Sequence, residues 1–294
     1  MLTLERILTP VDFSERSTAA AEHAVALARR FHAQVIFAHV MPPLPYEYAA
    51  FEGGYHMAAL RPSEEERKKF LAQQLDKLVD RVFPDPAVEK LILSGDPARR
   101  IEEVIREKNV GLVVMPTHGY GPFRRFVLGS VTTKVLHDVS CPVFTGAHVE
   151  EIAPYAARPY RHIACAVDLS DHSQKVLCWA AQFAAAYEAK LSVIHSIQGI
   201  DVHGAYEEFF TPEMHRLLLE NAREDVEKLL EKLLIQGNVV IESGYPERVI
   251  PAFAGDENVD VLVIGRSADH GLLGRLRTHA YSLIRMAPCP VISV

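Results

Sequence analysis

No stretch of this chain reaches the roughly 18 consecutive apolar residues that a membrane-crossing helix needs, so no transmembrane segment is expected. Cysteine is scarce. The four present, Cys141, Cys165, Cys178 and Cys289, form no CxxC pair, and their spacing suits neither a zinc site nor a disulfide framework. They read as small buried hydrophobes. The opening MLTLERILTPVDFSERS lacks a basic region followed by a long apolar run. No signal peptide is therefore expected, and the cytoplasm, with reduced thiols, is the simplest compartment. Positive charge is not in surplus: the formal net charge is −7, which argues against broad binding to nucleic acid or anionic membranes. Also missing are a G-x4-G-K-[ST] phosphate loop, an SGG-type pyrophosphatase loop, an HxGH nucleotidyl-transfer motif and an HExxH metal pair. No residue stands out as a general base, and the balance is against a dedicated enzyme. Slow ATP hydrolysis stays open, because it asks only for a metal and a positioned water.

What is present is a chain of 294 residues, 49% hydrophobic and 23% charged, an ordinary globular composition long enough for two domains. It repeats itself once. RILTPVDFSERS at Arg6 is echoed by HIACAVDLSDHS at His162, VIFAHV at Val35 by LSVIHS at Leu191, and SGDPARRI at Ser94 by SGYPERVI at Ser243. GLVVMPTHG at Gly111 returns as DVLVIGRSA at Asp260, and SCPVFTG at Ser140 as PCPVISV at Pro288. Two tandem copies of one unit follow. The expected division is 1–147, a linker at 148–160 and 161–294. The first copy carries a longer excursion between Val40 and Gly95, including the loop-like PPLPYEYAAFEGGY.

Each copy alternates apolar, β-branched runs with helical patterns. Ser14 stands where it can cap a helix whose Ala21, Ala24, Val25, Ala28 and Phe31 share one face. SEEERKKFLAQQLDKLVDRVF is a strongly amphipathic helix, and Val131, Val135 and Val139 form a stripe on another. Trp179, Phe183 and Tyr187 recur at helical spacing and read as core. Such alternation predicts an α/β fold of two copies, each a five-stranded, mostly parallel sheet with helices on both faces. The short last strands, Pro142–Gly146 and Pro290–Val294, have unpaired edges and are expected to pair with each other within the chain.

Open parallel sheets bind ligands beyond the carboxyl ends of their strands, where strand order reverses. In the first copy two such ends carry chemistry: TPVDFS, with Asp12, and MPTHGYGPFRRFVLGSVT after the fourth strand. Gly119, Gly121 and Gly129 let backbone amides approach an anion, and Gly129-Ser130 opens a helix whose first amides and dipole favour negative charge. Arg124 and Arg125 read as solvated loop residues, and Tyr46, Tyr48, Phe51 and Tyr55 as either a ligand cover or a satellite cluster. Asp12 equally suits a helix amino end. His39 and His195 occupy matching strand ends and read as structural. Ser170-Asp171-His172 spells triad letters, but neighbours in a helix start do not face one another.

The pattern G-x2-G-x9-G-[ST] after a hydrophobic strand resembles the universal stress protein (UspA-type) family. The first copy reads Pro116-x2-Gly119-x9-Gly129-Ser130, with Pro116 in place of the first glycine. The early VDFS, the G-D-P turn and the CPV before the last strand add to the resemblance, which spans nearly the whole chain as a tandem pair. It implies an adenine nucleotide alpha hydrolase-like (Rossmann-like) fold, ATP or a related nucleotide (with Mg2+ or Mn2+) and a stress-linked regulatory role. In ATP-binding members it implies adenosine contacts at Pro10, Asp12, Val40 and Met115, and phosphate contacts at Gly119, Gly129, Ser130 and Val131. Dimers of chains and unknown protein partners also fit; a nucleotide-free interaction module is the competing reading. The second copy reads Gly265-x2-Ala268-x9-Thr278-His279, with Ser196 matching Val40. It is expected not to bind ATP as the first does, and to serve as a scaffold or a different pocket.

Overall fold

The computed structural model describes residues 2–42, 63–85, 88–119, 128–146, 160–197, 211–266 and 278–294. The first repeat runs β1 (Arg6–Pro10), α1 (Glu15–Phe31), β2 (Gln34–Met41), α2 (Glu64–Val82), β3 (Glu89–Ser94), α3 (Pro97–Lys108), β4 (Leu112–Pro116), α4 (Ser130–Asp138) and β5 (Val143–Gly146). The second runs β6 (His162–Ala166), α5 (Asp171–Tyr187), β7 (Lys190–Ile197), α6 (Pro212–Leu233), β8 (Asn238–Ser243), α7 (Pro246–Asp256), β9 (Val261–Ile264), α8 (Thr278–Met286) and β10 (Val291–Ser293). Each repeat thus has the five strands its pattern predicts.

The local reasons are legible. Ser14 caps α1 by accepting the Ser17 amide, and Ser63 closes a reciprocal capping box with Glu66 at the start of α2. Asp96 caps α3 ahead of Pro97, whose fixed φ suits the first helical turn. The glycine of each G-x-P turn has φ near +134°: 133° at Gly95 and 135° at Gly244, a region side-chain-bearing residues rarely occupy.

All ten strands join one sheet in the order β3-β2-β1-β4-β5-β10-β9-β6-β7-β8. Within each repeat the strands are parallel, and the seam between repeats is antiparallel, with Ile292 opposite Phe144 and Val291 opposite Thr145. The anticipated pairing of the last strands therefore exists, and it removes two sheet edges at once. Two apolar layers cover the sheet. One lies under α1, α2, α5 and α6, the other under α3, α4, α7 and α8. In the first layer an aromatic cluster crosses the seam: Phe183 lies 5.1 Å from both Trp179 and Tyr187 and 5.9 Å from Phe31 and Tyr160. On α4 the buried stripe is centred on Thr132, Val135 and Leu136, one position beyond the expected valine line; Val131 is half-buried. Of the cysteines, Cys165 and Cys289 are buried while Cys141 and Cys178 are partly exposed. Burial pushes the Cys289 thiol up to about 12, far from a reactive thiolate.

Candidate functional site

The chain leaves β1 through β2 and β3 on one side, then returns to place β4 and β5 on the other. Order therefore reverses between β1 and β4, and the crevice beyond their carboxyl ends is the switch point. Pro10 ends β1 in register with Ala38, and the Val11 amide donates to the Ala38 carbonyl at 2.8 Å. Asp12 follows, half-buried. Its Oδ1 accepts the Ser14 amide at 3.0 Å and the Ser14 hydroxyl at 2.5 Å, so the carboxylate is fixed by the turn it helps to make. Phe13, between them, is held at φ 65° and lies 4.6 Å from the His39 ring. This is backbone strain beside a loop that faces the crevice.

From β4, Gly119 comes against Asp12. A Cβ on Gly119 would stand 2.0 Å from Asp12 Oδ2, a distance that no side chain tolerates, so the close approach depends on glycine. Arg16 on α1 donates to the Gly119 carbonyl at 3.2 Å. The Gly129 amide donates to the Thr117 carbonyl at 2.8 Å, and Gly129 is the N-cap of α4 without a side-chain cap. Ser130, first residue of α4, is exposed. An uncapped helix start beside a carboxylate turn gives one end suited to an anion and one suited to hydroxyl donors. Thr132 donates its hydroxyl to the Pro116 carbonyl at 3.0 Å, tying α4 to the end of β4. Pro116 itself is the last residue of the strand, opposite Gly146. Val40 and Met115 are the penultimate residues of β2 and β4, with their side chains buried in the α3–α4 layer.

The structure thus brings Pro10, Asp12, Met115, Gly119, Gly129, Ser130 and Val131 to the ends of two adjacent strands and one helix, with Val40 on the next strand. Gly121, Arg124, Arg125, Ala268 and the aromatic loop residues Tyr46, Tyr48, Phe51 and Tyr55 lie outside the described residues. Arg16 and Thr132 were not anticipated. Their only sequence signal is position, one helical turn past Asp12 and two residues past Ser130. His39 proves structural: its Nδ1 pairs with the Val11 carbonyl at 2.8 Å, as His195 does with Val167 at 2.9 Å. Burial holds the His39 pKa below its ordinary value, against the opposing pull of the Val11 carbonyl and the Asp12 carboxylate. His172 bonds the Val294 carbonyl and Ser170 bonds Asp168, so the triad letters do not form a triad.

The second repeat reproduces the frame. Asp168 Oδ1 accepts the Ser170 amide at 3.0 Å, the Ser170 hydroxyl at 2.6 Å and the Ser173 hydroxyl at 2.8 Å, and Leu169 repeats the positive φ at 60°. Beyond it opens a cavity of about 790 Å³. Arg266, buried at its rim, turns across the seam and donates to the carbonyls of Leu136, Val139 and Cys141 at the carboxyl end of α4.

A doubly wound sheet in tandem, with one switch-point crevice per repeat, defines a class of α/β ligand-binding folds. Within that class, the model of the universal stress protein family matches residues 3–145 and again 159–294, and the chain belongs to that family. A universal stress protein of Methanocaldococcus jannaschii is 31% identical over 141 residues, 47% of this chain and 79% of its own length. Universal stress protein A homolog 1 of Coxiella burnetii is 32% identical over 140 residues, 46% of this chain and 96% of its own. The crystal structure of a universal stress protein from Archaeoglobus fulgidus matches 99% of this chain and 96% of its own, with a TM-score of 0.70 at 19% identity, which establishes the shared tandem fold.

Proposed function

We propose that the first repeat binds ATP or a related adenine nucleotide and that the protein acts as a nucleotide-dependent regulator in a stress response. The observation that carries this reading is the approach of Gly119 to Asp12 beside the uncapped start of α4. Asp12 would accept ribose hydroxyls, while Pro10, Val40 and Met115 border the base. Gly119, Gly129, Ser130 and Val131 would supply backbone and hydroxyl donors to phosphate, helped by the helix dipole. The residues suit the ligand's polarity, with donors at one end and a fixed carboxylate at the other. A Mg2+ or Mn2+ ion would ride on the phosphates and neutralise them. Binding and release, rather than turnover, is the activity proposed, in the cytoplasm, through protein partners and a dimer of chains.

Calorimetric titration with ATP and Mg2+ tests it, using the whole protein and a Gly129→Val, Ser130→Ala variant. One site per chain in the wild type, weakened at least about 100-fold in the variant, is the expected result, since loss of a close backbone approach and a donor removes about 3 kcal/mol. No binding by the wild type would overturn the reading.

A further inference from the structure

At two matched positions beside the seam the first repeat carries a threonine and the second a long side chain: Thr117 corresponds to Arg266, and Thr132 to Tyr281. The threonines serve their own repeat. Thr132 donates to the Pro116 carbonyl at 3.0 Å, and Thr117 Oγ1 lies 2.8 Å from His118 Nδ1. Their counterparts serve the other repeat. The Tyr281 hydroxyl, on α8, accepts the Leu128 amide at 3.3 Å, while Arg266 donates to the carbonyls of Leu136, Val139 and Cys141. Both contacts fall on α4. Leu128 directly precedes Gly129, the N-cap of that helix, and Leu136 and Val139 lie at its carboxyl end. Packing runs the same way: Leu128 is buried in the α3–α4 layer, and Tyr281 packs against that layer from the second repeat. The second repeat therefore holds, at both ends, the helix whose uncapped start is the anion end of the first crevice. At the start of α8 the contact is internal instead, with His279 Nδ1 3.1 Å from Glu247 Oε2 on α7.

We propose that Tyr281 and Arg266 are positioning residues for the anion end of the first crevice, and that the second repeat acts as an internal brace that sets the preference for phosphate-bearing over phosphate-free ligands. Amides at a helix start favour a phosphate most when they are aimed before it arrives, because ordering them on binding subtracts from affinity. With nine residues, α4 is too short to hold itself. Arg266 meets the negative end of its dipole, and its planar fork reaches three carbonyls at once. Tyr281 fixes Leu128, so the next amide, that of Gly129, stays on the Thr117 carbonyl at 2.8 Å. The groups assigned to base and ribose, Pro10, Asp12 and Met115, stand at the ends of β1 and β4 and are set by the sheet of the first repeat. Loosening α4 therefore costs phosphate binding and spares the nucleoside part. The ligand preference rests on the nucleotide reading of the first repeat; the bracing of α4 does not.

The test uses the full chain and pairs amide hydrogen exchange of the ligand-free protein with calorimetric titrations of ATP plus Mg2+ and of adenosine. In Tyr281→Phe the Leu128 and Gly129 amides should exchange about 5-fold faster, the effect of one lost hydrogen bond, while the β1 amides keep the wild-type rate and show that the variant is folded. ATP should weaken about 5-fold and adenosine less than about 2-fold. Arg266→Met should weaken ATP further, and Arg266→Lys, which keeps a cation at the helix end, should recover part of that loss. The inference is overturned if exchange at Leu128 and Gly129 is unchanged in Tyr281→Phe, if ATP binds that variant as it binds the wild type, if ATP and adenosine weaken together, or if Arg266→Lys recovers nothing. If the wild type binds ATP and the variants match it, the nucleotide reading stands and the brace falls. If the wild type binds no ATP, the nucleotide reading falls, and exchange alone decides: faster exchange in Tyr281→Phe keeps the brace, and unchanged exchange removes it as well.

Discussion

The two repeats share a fold but support it differently. In the first, local signals are strong: the side chain of Ser14 caps α1 and that of Asp96 caps α3. In the second, the matching Ser170 and Tyr245 make no side-chain cap, and Pro251, which has no amide hydrogen to donate, lies inside α7. What the second repeat lacks in local support it recovers in long-range packing. Phe183 stands where the first repeat has Leu27 and gathers four aromatic neighbours, and Trp179 stands where the first has His23. Arg266 stands where the first has Thr117 and reaches across the seam. The second repeat thus leaves the starts of α5 and α7 without a side-chain cap, keeps one at α6 through Thr211, and packs its α5 aromatics across the seam onto Phe31.

That contrast is sharpest at Phe183. Phe183→Ala should cost about 4 kcal/mol and Leu27→Ala about 1 kcal/mol less, read from urea unfolding, because the aromatic cavity is larger and spans both repeats. Equal losses would mean that the seam cluster contributes little. Arg266→Met should cost about 3 kcal/mol, since it strands three carbonyls at the end of α4, whereas Thr117→Val should cost about 1. Thermal melting of both variants checks this.

His23 should make the first repeat the acid-sensitive one. Burial lowers its pKa from 6.5 to about 4, next to Phe144 on the seam strand. The unfolded chain binds the proton more readily across that window. Stability contributed by the neutral ring is therefore full above about pH 6.5 and lost as pH falls toward 4, by about 3 kcal/mol in all. His23→Leu should flatten the stability profile over this range, and an unchanged slope would refute the assignment. The smallest effect is expected at the caps: Ser14→Ala should cost about 1 kcal/mol and Ser170→Ala a few tenths, measured by the same unfolding.

Much of the fold was legible beforehand because its signals are local. Period-2 and period-3.6 patterns, the Ser14 cap and the G-x-P turns fix element type and order, and the internal echo fixes the count of repeats. The crevice could be located too, since Asp12 and the Gly119–Ser130 run follow strands whose order must reverse somewhere. Other features were not legible. Nothing near Arg266 in the chain announces that its partners are Leu136, Val139 and Cys141, more than a hundred residues away. Nor does α1 announce that His23 faces the seam, or the second repeat that its altered motif still borders an open cavity.

By itself, then, the sequence determined the repeat, the alternation of strands and helices, and the residue types at each strand end. The tertiary structure decided the antiparallel seam, the aromatic cluster across it, the direction of Arg266 and the self-supplied carboxylate beside His279. The physical reason is range. Backbone hydrogen bonding and side-chain periodicity act over a few residues, whereas charge neutralisation and close packing depend on which distant groups the folded sheet brings together.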